Sequence, residues 1–332
     1  MPPEAAALWG RDVGGAASPW RASLTRLVLA CAALFAVTWP EWREMAHQWW
    51  DIDTYAHILL IPPILAWLVW LRRETLAKLA PVAWWPGLAA TAAGLGLCAI
   101  GRLAGINLIA EAGAVLALQG SVVALLGVRA ALVLAFPLFY ALFLVPFGDE
   151  IVVPLQEVTA RIAIALTHVS GVPAELHGLF IDTPAGRFVV AEECSGVKFL
   201  IAMIALGTLV AWTSFANWKR RIVFVIAAAV TSILANGVRA WGTIFVAQYV
   251  GAERAGGFDH IVYGWVFFAV VIAAVLGVAW RYFEREPANA GLSAGEADAI
   301  ASRIAPRAIA PDWAIAGIVG AAIAFAALFQ LG

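Results

Sequence analysis

The chain has 332 residues, 63% of them hydrophobic and only 13% charged, with a formal net charge of -1. So few charges cannot clothe a water-soluble domain of this size, and apolar stretches repeatedly reach the roughly 20 residues that cross a bilayer, so the composition is that of a polytopic membrane protein. The near-neutral balance carries no nucleic-acid signal, and three cysteines imply no disulfide framework.

In chain order, residues 1–23 form a polar segment before the first apolar stretch, and no small-residue cleavage site follows that stretch, so it is expected to be retained as a span. Apolar runs predict spans near 24–40, 55–71, 84–101, 108–127, 130–146, 197–214, 222–238, 262–280 and 312–331. The expected fold is all-α: a bundle of about eight to nine transmembrane helices, one domain over 24–285, then a polar linker at 286–310 and a final helix at 311–332. With the N-terminus inside, most of the 21 lysines and arginines fall on inner segments, among them Arg72, Arg73, Lys78, Lys219, Arg220 and Arg221. Acids such as Asp51, Asp53, Asp149, Glu150 and Asp182 then fall outside.

One long stretch departs from simple membrane helix. Residues 150–169 read as an amphipathic helix at the interface, with Gln156, Glu157, Arg161 and His168 among apolar residues. After it, Leu179-Phe180-Ile181 and Arg187-Phe188-Val189-Val190 flank Asp182-Thr183-Pro184-Ala185-Gly186, which predicts a β-hairpin. The hairpin delivers the chain to Glu192-Glu193-Cys194-Ser195-Gly196-Val197-Lys198, where a thiol meets the start of a long apolar run. A backbone edge beside that thiol could hold an extended peptide by strand addition.

Helix counting puts three residues on the outer face: Cys194 before one span, Arg239 in Asn236-Gly237-Val238-Arg239 at the outer end of the next, and His260 before a third. Together they support acyl transfer through a thioester. The thiolate attacks a carbonyl carbon, the guanidinium stabilises charge developing on its oxygen, and the imidazole protonates the departing amine. The charges flanking the thiol are mixed, Lys198 against Glu192 and Glu193.

From about residue 50 to 285 the chain resembles the exosortase/archaeosortase family of multi-span membrane cysteine enzymes. The motifs that carry the resemblance are Gly171-Val172-Pro173, Gly178 with Ile181, Phe188-Val189-Val190-Ala191, Cys194-Ser195-Gly196, Asn236-Gly237-Val238-Arg239 and His260 with Gly264-Trp265. Pro154-Leu155-Gln156 and Tyr55-Ala56-His57 fit the same pattern. The resemblance implies Cys194 as nucleophile, Arg239 as the oxyanion-stabilising or thiolate-pairing residue and His260 as acid/base, with Ser195, Asn236 and His57 in support. It also implies partners: substrate proteins with a C-terminal PEP-CTERM signal, made of a Pro-Glu-Pro motif, a transmembrane helix and a basic tail. Membrane lipids and an acceptor that is water, a lipid or a glycan complete the set, and the setting is a bacterial inner membrane with the site facing the periplasm, near exopolysaccharide export.

Blander readings exist for each residue. A cysteine at a helix start is often structural, Arg239 could snorkel to the interface, and His260 could cap a helix. His57 divides between a supporting role and a plain interfacial histidine, and Asn236 would orient Arg239 or the backbone. Cys31 and Cys98, inside apolar runs, read as small buried hydrophobes. His47, His168 and His177 lack ligand spacing, so neither a metal nor a cofactor is expected, and the tryptophans fit an interfacial belt. The rival class is a transporter component or a non-catalytic scaffold of an exopolysaccharide export system, against which stand the scarcity of mid-span charges and the lack of an inverted repeat.

Overall fold

In lipid an isolated apolar segment must satisfy its own backbone, which leaves the helix as its natural form. The computed structural model describes residues 19–251, 259–304 and 308–330, and most of them are helical. The helices are α1 (Pro19–Val37), α2 (Trp39–Asp51), α3 (Ile61–Leu71), α4 (Arg73–Ala77), α5 (Trp85–Ala104), α6 (Asn107–Val133), α7 (Ala135–Tyr140), α8 (Val152–Val169), α9 (Val197–Ser214), α10 (Trp218–Val250), α11 (Asp259–Trp280), α12 (Ala294–Ile304) and α13 (Pro311–Gln330). Three short strands, β1 (Glu175–His177), β2 (Phe180–Thr183) and β3 (Gly186–Val189), lie between α8 and α9.

Among the described residues α1, α5, α6, α9, α10 and α13 are each long and apolar enough to cross a membrane. Two further stretches of crossing length are broken. Helix α2 and the arm Ala56–Leu71 meet at 107°, and Ala135–Leu144 meets Asp149–Val169 at 68°. The expected spans at 55–71 and 130–146 therefore each form one arm of a bent pair. The second bend has a local cause in Val145-Pro146-Phe147-Gly148, where Pro146 offers no N–H and Gly148 takes a positive φ of 126°. Helix α11 adds a shorter apolar stretch, Gly264–Trp280.

The chain divides into two compact units. The first comprises Met1–Trp42, Arg73–Ala135 and Leu292–Gly332. In it α5 and α6 form a helical hairpin held by very small residues: Gly87, Gly94 and Gly101 face the backbone at Ala124, Ala117 and Ala110. A Cβ added at Gly94 would lie 2.4 Å from the Ala117 nitrogen, a separation only glycine permits. Helices α1 and α13 complete this core with Leu34, Ile318 and Phe325. A deeply placed ion pair here is bidentate, Arg102 to Glu41 at 2.5 and 2.6 Å, and the guanidinium also lies 4.8 Å from the ring centres of Phe325 and Phe329. The stretch 286–310 holds a 3-10 turn, Pro287–Asn289, and then α12, whose start is a reciprocal cap in which Ser293 and Glu296 each accept the other's N–H.

The second unit, Arg43–Arg72 with Phe136–Gly291, carries the motifs around Cys194 and Arg239. Helices α9 and α10 run antiparallel, joined by a short turn in which Asn217 caps Lys219 N–H at 2.9 Å. Helix α8 packs along α10, and α11 also leans on α10. The amphipathic segment is thus a helix, Val152–Val169, but its buried face is itself partly polar: Gln156, Thr159 and Thr167 lie inward beside Leu155, Ala160 and Ala163. The expected hairpin forms as β2 and β3 around Pro184-Ala185, with Phe180 opposite Val189 and Thr183 opposite Gly186. A third strand, β1, adds to β2, giving the order β1-β2-β3 with β3 at an edge. Ile181, fully buried, seats the sheet on Ala160 and Ala163 of α8.

Gly94→Leu should drive α5 and α6 apart. Overpacking typically costs about 1–3 kcal/mol, and here the obstacle is backbone. A clear fall in thermal midpoint of the detergent-solubilised protein is expected relative to Gly96→Leu, since Gly96 faces open space; equal midpoints for the two variants would contradict the packing.

Candidate functional site

Between β3 and α9 the chain is neither strand nor regular α-helix, and its carbonyls need partners inside an apolar protein. They find three side chains. Gln156 Nε2 donates to Val190 O at 2.8 Å, Thr159 Oγ1 donates to Ser195 O at 3.2 Å, and Asn236 Nδ2 donates to Cys194 O at 2.9 Å. Asn236, only 3% exposed, gives its other amide hydrogen to Thr159 Oγ1 at 3.0 Å, so α8 and α10 are tied to each other and to the loop through one amide.

The loop itself is tightly turned. Ala191 is extended, Glu192–Cys194 make one 3-10 turn, and Gly196 takes a φ of 87° just before α9 begins. That φ requires glycine, and so does the space, since a Cβ there would sit 2.6 Å from Asn236 Cγ. Ser195, buried, accepts Val197 N–H on its hydroxyl at 3.3 Å, which makes it a local cap at the helix start. Cys194 is half-buried and packs on the apolar cluster of Ile181, Val190 and Ile244. The thiol is thus held two residues before a helix N-terminus whose first N–H groups have no intrahelical acceptor.

Arg239 lies one turn beyond Asn236 on the same face of α10 and is 5% exposed. Its guanidinium carbon is 5.4 Å from the ring centre of Phe199, in the first turn of α9. Gly264 of α11 leaves it room, because a Cβ there would come within 2.8 Å of Nη1. His260 belongs to the first turn of α11, four residues before Gly264, and its side chain lies outside the described residues. The backbone therefore brings the start of α9, the middle of α10 and the start of α11 together around Arg239.

A cleft of about 520 Å³ opens on the other side of Phe199. Its apolar walls include Leu60, Ile64, Ala202, Leu206, Phe268 and Ile272, and its polar rim is Asp53, Thr54, His57 and Lys198. His57 donates its Nδ1–H to Thr54 O at 3.1 Å, which sets the ring at this rim. Beyond the loop, β3 presents an exposed edge with Val189 outward, and the sheet is braced by a bidentate Arg187–Asp182 pair at 2.6 and 3.0 Å. Those two bonds hold the Asp182 carboxyl below the usual carboxylate range. Gln248 of α10 donates to Thr183 Oγ1 at 3.2 Å and fixes the hairpin's tip.

Two participants were not singled out from the sequence, Thr159 and Phe199. The available signal for Thr159 was its position three residues after Gln156 on one helix face; for Phe199 nothing distinguished it from other apolar residues of its run. Among the described residues no group of three His, Cys, Asp or Glu side chains converges as a metal site would require.

The fold and this site define a multi-pass membrane protein that presents a clamped cysteine at the start of a spanning helix, beside a buried arginine. The family model of the transmembrane exosortases matches residues 49–277, and the chain belongs to that family. No curated protein and no solved structure matches it.

Gly196→Ala should lower the thermal midpoint, since a left-handed alanine costs roughly 1–2 kcal/mol before any clash with Asn236. It should also change the alkylation rate of Cys194, measured by peptide mapping with Cys31 and Cys98 as internal references. An unaltered midpoint together with an unaltered rate would show that the Gly196–Asn236 contact does not constrain the loop.

Proposed function

We propose that the chain is a cysteine endopeptidase or transpeptidase that cleaves C-terminal sorting signals of the PEP-CTERM kind at the periplasmic face of a bacterial inner membrane, in association with exopolysaccharide export. The observation that carries this reading is the clamped loop: buried side chains from two helices fix the backbone of Cys194, and the arginine next to the clamp on α10 is held at the same place.

In the proposed reaction Cys194 Sγ attacks the scissile carbonyl carbon and Arg239 stabilises the oxygen as it gains negative charge. His260 gives a proton to the leaving amine. The thioester is then opened by water, or by an amine or hydroxyl of a lipid or glycan acceptor. The edge of β3 would align the extended residues before the cut by strand addition, and the apolar cleft beside Phe199 would receive the first turns of the signal's transmembrane helix. His57 and Lys198 at its rim would meet the polar residues that precede that helix.

The test follows full-length substrate in cells. Cys194→Ala should abolish processing. Arg239→Lys, which keeps charge but loses the planar fork, should slow it by ~10²–10³, and His260→Ala should leave uncleaved substrate with its tail intact. Val189→Pro removes an outward backbone donor and should weaken processing at limiting substrate. Intact mass of the mature C-terminus distinguishes a free carboxylate from an attached acceptor. Normal processing by Cys194→Ala with normal protein level would overturn the enzyme reading and leave a scaffold or transport role.

Orientation has its own test. Cysteines introduced at Asp182 should react with an impermeant maleimide added from the periplasm, whereas one at Arg220 should react only after the membrane is opened. The reverse pattern would place the site on the cytoplasmic side.

A further inference from the structure

At the opposite end of α9 from Cys194, a second groove of about 710 Å³ opens between the N-terminal half of α10 and the C-terminal half of α11. Its floor is Phe215, Phe224 and Ala279, all buried, and its walls are Val223, Ala227, Val278 and Tyr282, turned outward. Lys219 and Arg220 stand at its mouth.

We propose that this groove binds one acyl chain of an anionic phospholipid, with the phosphate held at the Lys219–Arg220 mouth. Length decides between a lipid chain and a peptide helix. From Lys219 to Thr231 the groove follows α10 for about 18 Å at 1.5 Å per residue. That is close to one leaflet of a hydrocarbon core about 30 Å thick, whereas a spanning helix needs the whole depth. Charge decides between headgroups. Lys219 and Arg220 line the mouth and Arg281 precedes Tyr282 beside it, whereas Arg221 and Arg285 are turned to the Phe215 and Trp212 carbonyls and the Trp212 ring; the acids next to them in sequence are Glu284 and Glu286. Arg220 is paired with Glu284, and that carboxylate also accepts the Ala216 and Asn217 N–H groups, which keeps it charged and anchored. Lys219 has no carboxylate partner among the described residues, its ammonium lying 5.9 Å from the Trp218 ring centre, and exposed Arg281 has none either. A net positive mouth over an apolar, one-leaflet groove fits a negatively charged headgroup and would repel a peptide that ends in basic residues. Tyr282 beside the mouth adds an aromatic ring at headgroup depth.

The experiment uses the full chain purified in detergent and native mass spectrometry, titrating phosphatidylglycerol against phosphatidylcholine with the same acyl chains. The expected result is retained phosphatidylglycerol with roughly fivefold weaker binding in Lys219→Gln, the effect of one basic residue near a membrane surface. Ala227→Trp, which fills the groove at an exposed position, should abolish retention, and a normal thermal midpoint for Lys219→Gln keeps the charge test valid should the tryptophan variant misfold. Equal retention of the two lipids, or binding indifferent to Lys219→Gln, would overturn the proposal. So would a photocrosslinker at Ala227 that captures a substrate's transmembrane helix in place of lipid. None of these readouts depends on Cys194, so the lipid site and the enzyme reading stand or fall separately.

Discussion

The amide of Asn236 spends both its hydrogens on one task, binding the carbonyl of Cys194 and the hydroxyl of Thr159, and the second unit is organised around that junction. A loop that leaves regular structure inside an apolar bundle exposes carbonyls that no water competes to solvate, and each orphan would cost on the order of 1–3 kcal/mol. Gln156, Thr159 and Asn236 cover Val190, Ser195 and Cys194 in turn, so the irregular backbone that a presented thiol needs becomes tolerable. The same bonds join α8, α10 and the start of α9, and loss of the amide would remove the side-chain bonds that tie α10 to the other two.

Close approach has a second signature, the placement of glycines. In the first unit they occur along α5 at Gly87, Gly94 and Gly101, where helix backbones meet. In the second unit Gly196 and Gly264 leave room for polar side chains instead, Asn236 in one case and Arg239 in the other. Other glycines of the second unit serve packing as well, Gly237 against Ile162 and Gly148 against Ile201. Membrane helices use small residues for contact because apolar burial gives little drive in lipid.

Much of this was legible in the sequence, for identifiable reasons. Spans follow from long uncharged runs, and the β2–β3 hairpin follows from β-formers on both sides of a Pro/Gly turn. The motif around Cys194 falls at the start of such a run, whereas that around Arg239, expected at the outer end of a span over 222–238, lies within α10, because the apolar residues from Ala240 to Val250 carry the helix on. The breaks near 55 and 146–150 coincide with expected boundaries, but the bends of 107° and 68° were not legible, because hydropathy reports apolar runs and not the angle between them. Strand β1 was hidden because Glu175-Leu176-His177 carries no β-branched pattern and forms only against β2. Thr159 was hidden because a threonine on an amphipathic helix is locally neutral; its partner lies in another helix. The Ser293–Glu296 cap that starts α12 was readable as Ser-x-x-Glu, though its surroundings are polar enough to pass for linker.

Arg239 is the most deeply buried positive charge of the second unit among the described residues. A guanidinium that is 5% exposed in an apolar helix bundle carries a desolvation cost of several kcal/mol, and the ring of Phe199 at 5.4 Å is one of the groups that offset it. A lysine or arginine needed merely to mark the interface would snorkel outward, as Lys219 and Arg281 do at the other end of the unit. Here α11 instead supplies Gly264 so that the guanidinium can stay inside. In a site of low dielectric the same desolvation that makes the charge costly makes it effective toward an oxygen that becomes negative during reaction. The proposed oxyanion role would use that buried charge, one turn from the residue that positions Cys194.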